Sequence, residues 1–270
     1  TNIVLDALFI DVLHFGIAGA AFATMTSEFI GGLLPMVYFF RKNDSLLHFV
    51  KPVFDRRVFL KTCTNGSSEL MTNLSMSLVN ALYNLQLMKI AGENGVAAYG
   101  AVMYVNFIFV ATFLGYAIGC APVISYHYGA GNHAELKNLY KKSMSIILVW
   151  GVILFGAAQL LAPVLSKIFV GYNTGLYAMT LHGFRVYAIA FLIIGINIFG
   201  SSFFTALNNG LISAVISFLR TLMFQVIMVL TLPLWFGING IWSAIGVAEA
   251  LTLIMTTIFF VRQKDKYHYL

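Results

Sequence analysis

The chain has 270 residues, 60% of them hydrophobic and 10% charged, with 24 Phe, 23 Gly and a mean hydropathy of +0.86. That composition excludes a water-soluble domain and belongs to a chain whose solvent is a bilayer. The net charge of +6 is dispersed over connecting segments instead of gathered on one face, which argues against a nucleic-acid partner.

In chain order, apolar runs between turn signals predict a partial helix at 2–13 and spanning helices at 16–40, 58–88, 96–128, 140–170, 174–205, 210–235 and 239–262. The breaks hold turn chemistry, as in Asn94-Gly95, Gly131-Asn132, Asn208-Asn209-Gly210 and Gly237-Ile238-Asn239-Gly240. The fold class is therefore all-α, a polytopic membrane helix bundle. Position 1 is Thr inside an apolar stretch, so the chain reads as N-terminally truncated.

Residues 15–28 recur in degenerate form at 236–249, 221 residues later, with six of fourteen positions identical. Six predicted helices follow the polar, basic segment 41–57, and the second repeat copy lies on the sixth. Both copies then cross the membrane in the same direction, as in two parallel lobes. The expected organisation is the last one to two helices of a preceding lobe in 1–40, an inter-lobe linker at 41–57, a complete six-helix lobe at 58–262 and a tail at 263–270.

Lys and Arg set the orientation. Arg41, Lys42, Lys51, Arg56, Arg57, Lys61, Lys137, Lys141, Lys142, Arg262, Lys264 and Lys266 fall at one set of helix ends, against Lys89 and Lys167 at the other. The richer side is expected to be cytoplasmic, with loops 41–57 and 129–142 and the C-terminus there and the chain multi-pass in a plasma membrane. Arg185 and Arg220 fall within spans and are expected to pair with glutamates.

The span 58–88 is the most polar. Glu69, Asn73, Ser77, Asn80 and Asn84 follow spacings of four, four, three and four, so they share one helical face. A carboxylate at mid-bilayer costs about 2.5–3.5 kcal/mol, and Glu69, about 15 Å deep at 1.5 Å per residue from position 58, is the leading candidate for coupling or cation binding. A structural pairing of Glu69 with Arg185 or Arg220 is the competing reading. Glu28 and Glu249 occupy matching repeat positions and are second candidates. Tyr104, Asn106 and Asn197, with Ser77, Asn80 and Asn84, are candidate cleft-lining residues. Gly115 and Gly119 before Pro122 suggest close packing and a bend.

The His and Cys residues have no metal-ligand spacing, and no phosphate-binding glycine loop occurs. The expectation is a protein without catalytic residues, metal or cofactor other than a coupling ion, proton or sodium.

Further residues carry a family resemblance: Asn2 with Leu5-Asp6, the run from Gly16 to Thr24, Ala97-Ala98-Tyr99-Gly100, Gly115, Gly119, Pro122, the run from Gly129 to Asn132, and the run from Phe204 to Gly210 with Ser213 and Arg220. Together they resemble the multidrug and toxic compound extrusion (MATE) family, in particular its bacterial branch that includes the DNA-damage-inducible protein F group. The resemblance implies twelve helices in two lobes, an outward-facing cleft, and export of organic cations or amphipaths in exchange for protons or sodium. It also implies that a first-lobe partner is missing from these 270 residues. Other branches of the family place an Asp on the fourth helix of the second lobe, and no Asp occurs between 174 and 205. A lipid-linked saccharide flippase of the same architecture and a nonfunctional fragment are the alternatives.

Overall fold

In the computed structural model the described residues are 1–41, 51 and 54–269, with residues 68, 69 and 71 described by their backbone alone. They divide into two compact units, Thr1–Asp55 and Arg56–Leu270.

In the first unit, α1 (Asn2–Asp6) continues through a π-helical turn (Ala7–Val12), and after a break α2 runs from Gly16 to Phe40. Gly16 has φ +55°, a conformation in which a side chain is strained. The rings of Phe9 and Phe15 stack 6.3 Å apart beside this turn.

The second unit begins with α3 (Arg56–Gly129). A straight helix of that length would be about 110 Å long, several times the hydrocarbon thickness of a membrane. It is instead two spans, divided at Gly92, where φ is +62° and ψ −153°. Tyr83 and Tyr99 show that the chain reverses there. In one helix their sixteen-residue separation would be about 24 Å, yet their rings stack at 4.9 Å.

The chain continues through α4 (His133–Val170), α5 (Thr174–Ala188) and α6 (Phe191–Ala206). The pair α5–α6 is bent by 49° and counts as one broken span. Next come α7 (Gly210–Phe218), a π-helical turn (Leu219–Met223), α8 (Phe224–Phe236) and α9 (Ile238–Tyr267). Gly237, at φ +55°, divides α8 from α9. Asparagine side chains start three of these helices: Asn132, Asn173 and Asn209 accept from backbone N–H groups of the first turn.

The described residues thus form an all-α polytopic membrane bundle, with one six-span lobe in the second unit and two helices preceding it. One end of the lobe holds Gly129, Asn132, Asn208 and His268, with Lys61, Lys137, Lys264 and Lys266 nearby in sequence. We call it the basic end.

Three sequence expectations are corrected. Helix α4 starts at His133, not 140, because Asn132 caps it, so most of the expected loop 129–142 is helical. The span 174–205 is broken at residues 189–190. Residues 263–267 are not a tail: α9 runs to Tyr267, His268 takes a left-handed conformation, and Tyr269 returns to the core with 0% exposure. Its hydroxyl donates to Phe260 O at 2.9 Å, and its ring meets Tyr140 and Phe203 at 5.1 and 4.9 Å.

Close helix contacts occur at other glycines than those expected. A Cβ on Gly183 would lie 2.6 Å from the Trp242 ring, one on Gly195 would overlap Phe113, and one on Gly210 would overlap Asn65 Cα. A Cβ on Gly115 or Gly119 would meet nothing within 4 Å, so neither marks a close approach.

Candidate functional site: a buried carboxylate–guanidinium pair

Three helices bring polar side chains to one place inside the lobe. Arg220 Nε donates to Glu249 Oε1 at 2.9 Å, an ion pair in the interior of the lobe. Asn197 Nδ2 donates to Glu249 Oε2 at 2.7 Å and to its backbone carbonyl at 2.9 Å. Thr256, two turns along α9 from Glu249, donates to Asn197 Oδ1 at 3.0 Å. Asn197 is therefore held by two contacts besides the one to the carboxylate oxygen.

The cluster is central in depth. Asn197 is nine residues from the end of α6, Arg220 ten from the start of α7 and Glu249 eleven from the start of α9. At 1.5 Å per residue these are roughly 14–16 Å from one end or the other, the middle of a hydrocarbon layer about 30 Å thick. Arg220 falls in the π-helical turn between α7 and α8. Such a turn shifts the helical register and is frequent at functional positions.

Burial divides the pair unequally. The Glu249 side chain is 1% exposed and that of Arg220 14%, so only the arginine reaches the surface of the lobe. Three phenols, Tyr83, Tyr99 and Tyr187, share the interior within electrostatic reach of this pair or of one another. Tyr83 is 3% exposed, and its hydroxyl has no hydrogen-bond partner among the described residues.

The other sequence candidates fall elsewhere. Glu69 is on α3, but its side chain lies outside the described residues. The backbone nonetheless revises its depth. Gly210 packs on Asn65, so Asn65 is level with the turn 207–210, and Glu69 is one helical turn, about 6 Å, beyond it. The count from position 58 places it too deep because α3 projects past the turn at the basic end. Asn73, Ser77 and Asn80 are exposed and Asn84 half-buried, whereas Ser75, Val79, Tyr83 and Leu87 form the buried face of the same helix. Glu28 is exposed on α2.

Asn197 is 0% exposed, which corrects its expected place on a cleft wall. Arg185 pairs with no glutamate among the described side chains: it is exposed, and its backbone carbonyl accepts from Gln159. Tyr104 is exposed and stacks on Phe169, and Asn106 is half-buried with its Oδ1 unpaired.

Sequence reading missed Ser201, Thr205, Ser213, Ser217 and Thr256. Their signal is the same helical spacing that singled out α3: Asn197, Ser201 and Thr205 are four apart, and so are Ser213 and Ser217, three before Arg220.

A lobe of six apolar spans with broken helices and a polar centre is the architecture of a membrane transport protein. The family model described as MatE matches residues 70–231, and the chain belongs to that family. It is 25% identical over 264 residues to the multidrug export protein MepA of Staphylococcus haemolyticus, an alignment covering 96% of this chain and 56% of that protein. Among solved structures, a MATE protein in complex with MaL6 superposes with a TM-score of 0.91 at 23% identity, covering 100% of this chain and 61% of the other. A MOP superfamily transporter from Pyrococcus furiosus gives 0.89 at 23%, with coverage of 99% and 60%. An outward-facing multidrug resistance MATE family transporter gives 0.89 at 24%, covering 100% and 61%. At these identities the structures establish the fold. The chain spans somewhat more than half the length of these proteins.

Proposed function

We propose that this protein exports amphipathic or cationic small molecules from the cell by alternating access, driven by an ion gradient, and that Glu249 carries the coupling ion. The observation that supports this reading is an ionisable pair held at mid-membrane depth inside a MATE-family lobe. Intramembrane carboxylates are costly, and ion pathways are their usual setting. The name of the Staphylococcus haemolyticus relative, a multidrug export protein, points to the same substrate class.

In this reading the basic end faces the cytoplasm, and a preceding lobe completes the cleft. The face of α3 bearing Asn73, Ser77 and Asn80 borders that cleft, since exposed amides and hydroxyls are unfavourable against lipid tails. Glu69 and Glu28 stay secondary candidates for cation contact, with Asn84, Tyr104 and Asn106 as possible lining.

The pair favours a proton over sodium. The guanidinium 2.9 Å from the carboxylate opposes either cation, but a proton needs no coordination space beside a carboxylate that is 1% exposed, whereas sodium does. A proton instead neutralises Glu249 and leaves Arg220 an uncompensated cation. That charge repels a cationic substrate, so proton and substrate exclude one another, as exchange requires.

A flippase for pyrophosphate-linked saccharides is not favoured. Such a cargo calls for several available cations, and Arg220 is already neutralised by Glu249.

The reading is tested by ethidium efflux from pump-deficient bacteria expressing the complete reading frame, with wild type compared to Glu249→Gln. Proton-gradient-dependent efflux by the wild type and its loss in the variant are expected. Equal efflux by both would remove Glu249 from the mechanism.

A further inference from the structure

We infer that the hydroxyls of Ser217, Ser201, Ser213 and Thr205 form a proton wire linking the Glu249–Arg220 pair to the basic end of the lobe. The inference rests on the reading of Glu249 as the proton carrier.

The wire is read from contacts between α6 and α7. Thr205 Oγ1 lies 2.6 Å from Ser213 Oγ, Ser213 Oγ 2.9 Å from Ser201 Oγ, and Ser201 Oγ 2.8 Å from Ser217 Oγ. In each contact either oxygen can be the donor, the condition for passing a proton along a row of hydroxyls. Ser213 is 0% and Ser217 4% exposed, and Ser201 and Thr205 are half-buried.

These serines depart from the ordinary behaviour of helical hydroxyls in this chain. Thr180, Thr221, Thr231 and Thr252 each donate to the carbonyl four residues back. That is the default for a Ser or Thr inside a helix. Thr205 makes that bond too, to Ser201 O at 3.1 Å, whereas Ser201, Ser213 and Ser217 turn to one another across the helix interface.

Both ends of the row lead somewhere. Thr205 lines an open cleft of about 520 Å³ at the basic end, together with Lys61, Thr62, Asn65 and Asn208. Water there receives the proton, and the Lys61 ammonium disfavours its return. At the inner end, Ser217 lies three residues before Arg220, and Ser201 four residues after Asn197. Arg220 and Asn197, which hold the Glu249 carboxylate, are thus one helical turn from Ser217 and Ser201, and in the proposed wire one water stands between the carboxylate and Ser217.

The transfer balances without any other reactant. Protonated Glu249 releases its proton to the bridging water, which protonates Ser217 as the Ser217 O–H proton moves to Ser201. The same exchange repeats to Ser213, to Thr205 and to water in the cleft, and Glu249 returns to the carboxylate paired with Arg220. Each O–H bond broken is matched by one formed, and the hydroxyls then rotate back.

The test is substrate-driven proton movement in proteoliposomes containing the protein from its complete reading frame, read by an entrapped pH-sensitive dye. Thr205→Val keeps the side-chain shape and removes the hydroxyl, Thr205→Ser keeps the hydroxyl, and Ser213→Ala interrupts the row at its centre. The wire predicts proton movement slowed about tenfold or more, the scale of losing a positioned proton-transfer group, in Thr205→Val and Ser213→Ala. It also predicts near-normal rates in Thr205→Ser, and ethidium binding unchanged in all three. Unchanged rates in Thr205→Val and Ser213→Ala, with Glu249→Gln inactive, would overturn the wire and leave the coupling assignment standing. Normal proton movement in Glu249→Gln would instead overturn the coupling assignment, and the wire with it.

Discussion

Arg220 and Glu249 meet at 2.9 Å across a helix interface although 29 residues separate them, and the arginine keeps a fraction of its surface accessible while the carboxylate keeps almost none. Removing one partner strands the other in a low-dielectric interior, whereas removing both leaves an apolar contact. Arg220→Met or Glu249→Leu alone is expected to cost about 3–5 kcal/mol, and the double variant markedly less than the sum. Thermal unfolding of the four proteins in detergent measures the coupling. Additive losses would mean the pair contributes no mutual stabilisation.

The glycines divide into two groups. Gly210→Ala forces a methyl into the backbone at Asn65, and Gly183→Ala places one against the Trp242 ring. Overpacking of this kind costs about 1–3 kcal/mol. Gly115→Ala and Gly119→Ala meet open space and, in helix interiors, are expected to be neutral or stabilising. Melting temperatures of the four variants check the contrast.

The reversal at Gly92 requires a left-handed backbone. Gly92→Ala is expected to lose about 1–2 kcal/mol, because a Cβ is disfavoured at that φ. The same change at Gly100, inside the helix and facing open space, is expected to be harmless. Comparing folded yield and melting temperature for the two variants separates backbone strain from a general effect of the substitution.

Burial raises the pKa of the Tyr269 phenol, which lies beyond the end of α9 and donates to Phe260 O. A raised folded-state pKa favours the protonated form. Its contribution is therefore complete below the unfolded value near 10 and is lost as pH rises above it. Wild type is expected to lose stability above pH ~10 relative to Tyr269→Phe, while below that pH the variant is weaker by about 1 kcal/mol for the missing hydrogen bond. Melting temperatures of both from pH 7 to 11 check the sign.

Much of this fold was legible because the bilayer constrains it. Apolar runs of spanning length, separated by Asn and Gly turns, located all six spans of the lobe. What escaped was set by tertiary contact. The depth of Glu69 was miscounted because nothing in residues 56–65 shows that Gly210 docks against Asn65. Arg185 and Arg220 look alike in sequence, and only packing turns one outward and the other onto Glu249.

The stripe on α3 was read from its spacing. The spacings in 197–205 and 213–220 carry the same signal with smaller side chains. Asn197 reads as cleft lining from sequence because its partners, Glu249 and Thr256, both lie on α9, more than fifty residues further along the chain.

The most direct measurement is the pH change inside proteoliposomes when a substrate gradient is imposed, for wild type and Glu249→Gln made from the complete reading frame. The account predicts proton movement opposite to substrate movement in wild type, and none above leak in the variant. Proton-coupled exchange that persists in Glu249→Gln would contradict it.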